Sequence, residues 1–581
     1  MSDTSDRLVR DRALLESVED KGTGAKFGAY LKLSGPGWLQ SAITLGGGSL
    51  AGGMYLGVLS GYGMMWLQPL AMLLGIAMLA AIAYVTLSTE RRPFRLVVEE
   101  VNPVLGWGWA IATLMANIVW CLPQFALGTA ALRQNLMPGV LGEEAAGLNG
   151  KYIAVGLLAA LALMTIISYE RGGKGLALFE TILKALVAVI VLCFVGVVFQ
   201  LTVAEDGLNW SKVFSGFLPS AGLLSEPPLA FREAIAAAGE QASSFWSGLI
   251  LGNQRDVMLT AAATAVGINM TFLLPNSLLD RGWDRQFRGL AVFDLATGLF
   301  VPFLIATSCV VMASAARFHG QYEQSLVTSA PTQEATTEAA GAAKSKAYLG
   351  LLDRRLKHEF KGEVDGWTEQ ELIDRRESLP EGDRRLAAML IKRDASDLAG
   401  ALEPLTGRRV AQLVFGGGVV AMALSSIIVL MLINGYVFSE LFNQPRRGTA
   451  HFIGTLLPLV FGAIVPFYWN EAMFWLAVPT SVFGIILLPI AYSTFFFLMN
   501  NRRVLGDSMP QGGKRVAINT VLLLGVLLAA VGAAWSIWAR TAPFPGTSIE
   551  IRWVAITAVA VFVGLAVLFS QKSAKRTTSE A

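Results

Sequence analysis

The sequence predicts an all-α polytopic membrane protein of about twelve transmembrane helices, with the first and sixth interrupted at mid-membrane. Three observations carry this. Hydrophobic residues make up 54% of the 581 and charged residues only 15%, with a mean hydropathy of +0.53, too apolar for an ordinary water-soluble surface. Twelve stretches approach the roughly 20 apolar residues that cross a bilayer as a helix. Two of these, five segments apart, carry helix-breaking sequence at their centres.

The first segment, 35–58, contains GPGWLQSAITLGGGSLAGGMYLG, with Gly46, Gly47 and Gly48 in its middle. Each glycine costs about 1 kcal/mol in a helix interior relative to alanine, so a break is expected at these three. The freed backbone groups are tolerated at membrane depth only where protein or a cavity satisfies them. The alternative reading is a small-residue packing face. The later segments lie near 64–88, 105–134, 152–168, 177–203, 256–279, 290–315, 410–439, 450–468, 473–499, 516–538 and 552–570. In the sixth, TAVGINMTFLLPNSLL, Gly267 and Pro275 flank Asn269, Met270 and Thr271. Paired interruptions in corresponding positions of two halves mark an inverted repeat with a solute site between the breaks. Asn269 and Thr271 either line that site or bond a neighbouring helix as interhelical glue.

Arg91, Arg92 and Arg95 follow the second segment, Arg171 and Lys174 the fourth, and Arg281, Arg285 and Arg288 the sixth. Arg446 and Arg447 follow the eighth, Arg502, Arg503, Lys514 and Arg515 the tenth, and Lys572, Lys575 and Arg576 the twelfth. The positive-inside rule then places both termini, 1–33 and 571–581, in the cytoplasm of a cell (inner) membrane protein. The N-terminal stretch lacks the apolar core of a signal peptide. Forty-six basic against 43 acidic residues give no basic field for nucleic acid. Cys121, Cys193 and Cys309 sit in apolar segments without CxxC spacing and read as core.

Between the bundles 34–316 and 410–570 lies a charged insert, 317–409, which segment counting places outside the cytoplasm. After an Ala/Thr/Ser/Gln linker, KAYLGLLDRRLKHEF and WTEQELIDRRESLPEGDRRLAAML have helical periodicity. GEVDGWTEQE resembles half an EF-hand, but Lys361 would take the first ligand position and Leu372 the twelfth, which argues against calcium. The insert is also a candidate docking surface for a protein partner.

From residue 35 through the tenth segment the chain resembles the Nramp (natural resistance-associated macrophage protein) divalent metal transporters. The motifs are GPGWLQSAITL, YERGGKGLALFE, FDLATGLFVPFLIATSCVVMASAARFHG with Asp294, ALSSIIVLMLINGYVFSELF, and LPIAYSTFFFLMNNRRVLGD. The resemblance implies the LeuT-like inverted-repeat fold and transport of a divalent metal by alternating access. It also exposes departures. Gly46, Gly47, Gly48 and Ser49 stand where the family has Asp-Pro-Gly-Asn. Thr271 aligns with its metal-binding methionine and Leu273 with a nearby histidine. Leu122 and Phe125 replace two acids of its proton route, and Ser481 stands near a glutamine position.

The expected substrate-binding residues are therefore Gly46, Gly47, Gly48, Ser49, Asn269, Met270, Thr271 and Ser481, without the family's usual metal ligands. The partner is a small solute or cation. A hydrated cation such as magnesium fits an oxygen site. A small organic acid or amino acid fits the half-helix amides after Gly48, and a non-transporting receptor is the third reading. Glu180 and Lys184 are spaced to pair. Asp294 and Glu440 are expected to be satisfied by nearby arginines, Arg446 among them for Glu440. His319, His358 and His451 fall at helix ends, so no proton carrier stands out. Facilitated diffusion or sodium coupling remains open. No Walker A loop, GxSxG or HExxH occurs, so neither an enzyme nor a cofactor is expected.

Overall fold

The computed structural model describes residues 2–579 except 19, 172, 205–206, 221, 329–338, 394–396, 398, 401–402, 404–406, 446 and 470–472. Eleven helices among the described residues are long and apolar enough to cross a membrane, and the bent pair Pro36–Thr44 and Gly47–Ser60 makes a twelfth span, first in the chain. The second to sixth spans are Leu67–Thr89, Pro103–Leu136, Glu143–Glu170, Thr181–Val203 and Glu240–Asp280. The seventh to twelfth are Arg285–Phe318, Ala411–Leu441, Thr449–Tyr468, Ala477–Met499, Gly512–Trp538 and Ile551–Ser570. The chain is a multi-pass membrane protein. Seven spans separate its N-terminal segment from the insert, so the two lie on opposite faces, called inner and outer below.

The first span stops at Thr44 and restarts at Gly47 with a bend of 53°. Its break is Leu45 and the extended Gly46 (φ −96°, ψ −177°), so the interruption includes the first of the three expected glycines and begins one residue before it. Gly47 and Gly48 instead form the first turn of the outer half-helix. There an amide needs no intrahelical acceptor, so glycine is tolerated more easily than in a helix interior. The sixth span breaks at extended Val266 and Gly267, between Glu240–Ala265 and Ile268–Asp280. It begins at Glu240, well before residue 256, because the polar run EQASSFWSGLILGNQR continues the helix beyond its apolar part to meet the insert. Pro275 lies inside the inner half-helix and does not bound the break.

Close approaches hold the broken span against its neighbours. A Cβ on Gly57 would stand 2.1 Å from Ser314 Oγ and 2.6 Å from Val311 O, so the outer half of the first span meets the seventh backbone to backbone. At the inner end, a Cβ on Gly37 would stand 2.1 Å from Asp294 O. The buried Asp294 carboxylate accepts from the Ser34 hydroxyl and from the amides of Gly35 (3.1 Å) and Gly37 (2.6 Å). It thereby caps the start of Pro36–Thr44, where orphan amides and the helix dipole favour an anion. The arginines expected to satisfy it are not its hydrogen-bond partners: Arg281 donates to Leu33 O (3.3 Å).

The insert forms helices Ala339–Phe360, Glu369–Ser378 and Glu381–Met389. Thr368 and Glu371 close a capping box on the second. A buried pair, Arg355 Nε to Asp383 Oδ1 (3.0 Å), is joined by Trp246 Nε1, which donates to the same oxygen at 2.6 Å. This ties the insert to the outer end of the sixth span. The twelfth span lies at the periphery, held by Asn102 Nδ2, which donates to Ala566 O (2.7 Å) and Ser570 Oγ (2.7 Å).

Candidate functional site

The two breaks face each other across a cavity of about 40 Å³. A buried water needs at least about 10–15 Å³ on this measure, so there is room for about three waters or a small, partly hydrated ion. The first span contributes Thr44, Gly48 and Ser49, and the sixth contributes Thr264, Gly267, Asn269 and Met270. Trp120, Pro123 and Gln124 of the third span, Ser426 of the eighth, and Thr480 and Ser481 of the tenth complete the wall.

Because the first half-helix ends at Thr44, its last carbonyls have lost their intrahelical donors. Hydroxyls replace them: Ser425 donates to Ala42 O (2.8 Å), Ser426 to Ile43 O (3.4 Å) and Ser49 to Thr44 O. Ser49 Oγ also stands 3.4 Å from Thr264 O, linking the two breaks. On the other side of the break, Gly47 N donates to Gln124 Oε1 at 2.8 Å. Gln124 is itself held by a bond to Trp120 O (3.3 Å), and Trp120 Nε1 donates to Thr480 O (3.0 Å). Thr44 Oγ1 donates to Met270 Sδ at 3.1 Å, fixing the thioether at the cavity wall.

Two buried polar atoms on this wall have no hydrogen-bond partner, Ser481 Oγ and Asn269 Nδ2. Such groups are costly unless something satisfies them. Among the described residues no Asp, Glu or His lines the cavity, and no group of three or more His, Cys, Asp or Glu is arranged to hold a metal. Its electrostatics come from dipoles: half-helix C-termini at Thr44 and Ala265 carry partial negative charge, N-termini at Gly47 and Ile268 partial positive charge.

Of the residues singled out from sequence, Gly48, Ser49, Asn269, Met270 and Ser481 meet at this cavity. Gly46 and Gly47 lie beside it, Gly46 packed on Ser426 and Gly47 on Gln124 and Leu127. Thr271 does not reach it. Its hydroxyl accepts from Trp109 Nε1 (3.0 Å) and donates to Ile268 O. One residue turns a helix by about 100°, so Met270, and not Thr271, presents its side chain at the break. Thr44, Trp120, Gln124, Thr264 and Ser426 were not singled out. Gln124 beside Pro123, and the Ser425–Ser426 pair, are polar interruptions in apolar spans and were the available signal.

The other intramembrane charges lie away from the cavity. Glu440 pairs with Arg92 (3.2 Å), while Arg446 and the side chain of Glu180 fall outside the described residues. His451 is buried in the first turn of the ninth span, its Nδ1 against Glu170.

Residues 37–353 and 386–536 match the sequence profile of the Nramp family, described as natural resistance-associated macrophage protein-like. The chain belongs to the Nramp family. Two crystal structures of the Eremococcus coleocola manganese transporter, a point mutant and a complex with an aromatic bis-isothiourea substituted compound, share its fold with TM-scores of 0.60 and 0.59. Each is 13% identical, and the likeness covers 94% of both chains. This Nramp protein thus has the LeuT-like architecture expected of the two broken spans. A comparison with curated proteins finds none that matches.

Proposed function

We propose that this Nramp protein is a secondary transporter that carries a divalent cation by alternating access through the cavity between its two helix breaks. The observation that carries the reading is the donor set: the Met270 thioether, the Ser49 and Ser481 hydroxyls and the carbonyl ends of two half-helices, with no carboxylate in the wall. Half-helix carbonyl ends are suited to coordinating cations in such folds, and thioether sulfur biases a site towards transition metals. Neutral ligands do not offset the cost of stripping a divalent ion of its water, so the cation keeps part of its hydration shell, as the unpaired Ser481 hydroxyl and the room for a few waters allow. Manganese, the ion in the name of the structural neighbours, is the first candidate, and magnesium the second.

The protein sits in the cell (inner) membrane with both termini cytoplasmic, because the short loops on the inner face carry the arginines. With no acid or histidine in the cavity wall, transport does not use a proton carrier at the substrate.

Uptake of Mn²⁺ and Mg²⁺ into proteoliposomes tests this. Wild-type protein is expected to give saturable uptake that Ser481→Ala weakens; no uptake of either ion would overturn it. One observation favours a second reading, a small organic carboxylate: Asn269 Nδ2 is a buried donor without an acceptor, near two half-helix N-termini. Competition of Mn²⁺ uptake by short carboxylic and amino acids separates the two.

A further inference from the structure

The family match omits 354–385, which lies wholly within the charged insert. The insert nonetheless reaches the substrate path. Trp475 precedes Thr480 of the cavity wall by five residues, about 8 Å along a helix. Its ring meets Tyr55, from the outer half of the first span, edge to face at 4.9 Å. Directly outside this pair runs the strap that follows helix Glu381–Met389. Tyr55 OH donates to Arg393 O at 2.8 Å, and Lys392 Nζ stands 4.6 Å over the Trp475 ring. Leu390, Ile391 and Arg393 are all buried. The layers outward from the cavity are therefore Thr480 and Ser481, then Tyr55 and Trp475, then the strap.

The strap is fastened to several spans at once. Arg393 pairs with Glu323 (3.4 Å) and lies over Phe318, the last residue of the seventh span. Asp383 joins the insert to the outer half of the sixth span through Trp246. Gly382 packs so tightly on the backbone preceding that half-helix that a Cβ would stand 2.3 Å from Ala238 N. One element thus bridges the first, sixth, seventh and tenth spans at their outer ends.

We propose that the insert is an outer lid: with residues 390–393 seated on Tyr55 and Trp475 the cavity is shut from the outer face, and the strap must lift for substrate to enter. The proposal rests on the cavity being the transport site, but not on the identity of the substrate. Aromatic stacking and cation–π contacts at a desolvated seam contribute enough to hold a closed state without making it permanent.

The test is reaction of a cavity cysteine with a small methanethiosulfonate reagent in detergent. Thr264→Cys is the outer-path reporter and Ser277→Cys, in the pocket at the inner end, the control, both with Cys121, Cys193 and Cys309 replaced by alanine. Two unlocking variants act from opposite sides of the lid, Tyr55→Phe with Lys392→Ala, and Trp246→Phe with Asp383→Ala, which leaves Arg355 Nε without its acceptor; each is first checked for monodispersity and cooperative melting, and whichever folds decides the outcome. The lid predicts at least tenfold faster modification at Thr264→Cys with no acceleration at Ser277→Cys. An unchanged rate at Thr264→Cys, or equal acceleration of both reporters, would overturn it. Since modification needs no metal, a positive result without binding of either Mn²⁺ or Mg²⁺ would leave the lid standing and remove the cation reading.

Discussion

Replacing Asp294 with asparagine should loosen the inner half of the broken first span. The carboxylate has no solvent exposure and accepts from Ser34, Gly35 and Gly37, the last through Oδ2 at 2.6 Å. Asparagine keeps one acceptor oxygen, which can serve Ser34 and Gly35. Its NH₂ then faces the Gly37 amide, donor against donor. A buried donor left unmet costs about 1–3 kcal/mol, partly offset because a buried charge has been removed. Alanine orphans all three donors and should cost more than asparagine. Since Asp294 belongs to the seventh span and its partners to the start of the first, the loss also frees the inner half-helix to swing. A bias of that size is worth about 5- to 150-fold in a two-state equilibrium. Thermal unfolding in detergent reads the stability, and modification of Ser277→Cys reads the opening. Asn at wild-type stability with no faster labelling would show that the carboxylate does not hold this half-helix, refuting the cap.

Two further outcomes follow from named contacts. Gln124→Leu strips the Gly47 amide of its acceptor and should cost about 1–3 kcal/mol along with uptake; melting and proteoliposome uptake check the two effects. Burial pushes the Asp383 carboxyl above the ordinary carboxylate range, against the lowering effect of Trp246 and Arg355, with Glu359 adding to the rise. Its folded pKa thus exceeds its unfolded one, so its contribution to the docked insert is fully present below about pH 4 and is lost as pH rises through the folded value. Hydrogen-exchange protection of Glu381–Met389, corrected for intrinsic rates, should fall between acid and neutral pH in wild type and stay level in Asp383→Asn. Protection that rises with pH would contradict the sign.

The twelve spans and both breaks were legible in the sequence because bilayer thickness and glycine's cost in a helix are read locally. The details that failed depended on tertiary contacts. Gly47 and Gly48 belong to the restarted helix because Gln124, from another span, receives the Gly47 amide. The sixth span starts at Glu240 because the insert gives its polar end something to bind, Asp383 to Trp246. Met270 and Thr271 were both expected at the site, and only Met270 reaches it, because the phase of one helix turn depends on where the break falls. The cap on Pro36–Thr44 joins residues about 260 apart in the chain, beyond what spacing or charge patterning reveals. Five of the eight candidate residues still met at one cavity, since polar residues beside a helix break have few other places to go.

Calorimetric titration of purified protein with Mn²⁺, and with Mg²⁺ in parallel, asks whether neutral ligands at the breaks hold a cation. Met270→Leu keeps the side-chain bulk and deletes the sulfur that Thr44 now orients. Wild type should bind Mn²⁺ saturably at a single site and the variant about tenfold more weakly, a loss of about 1.4 kcal/mol. Absence of binding by both Mn²⁺ and Mg²⁺, or Mn²⁺ binding that Met270→Leu leaves unchanged, would contradict a cation site between the breaks.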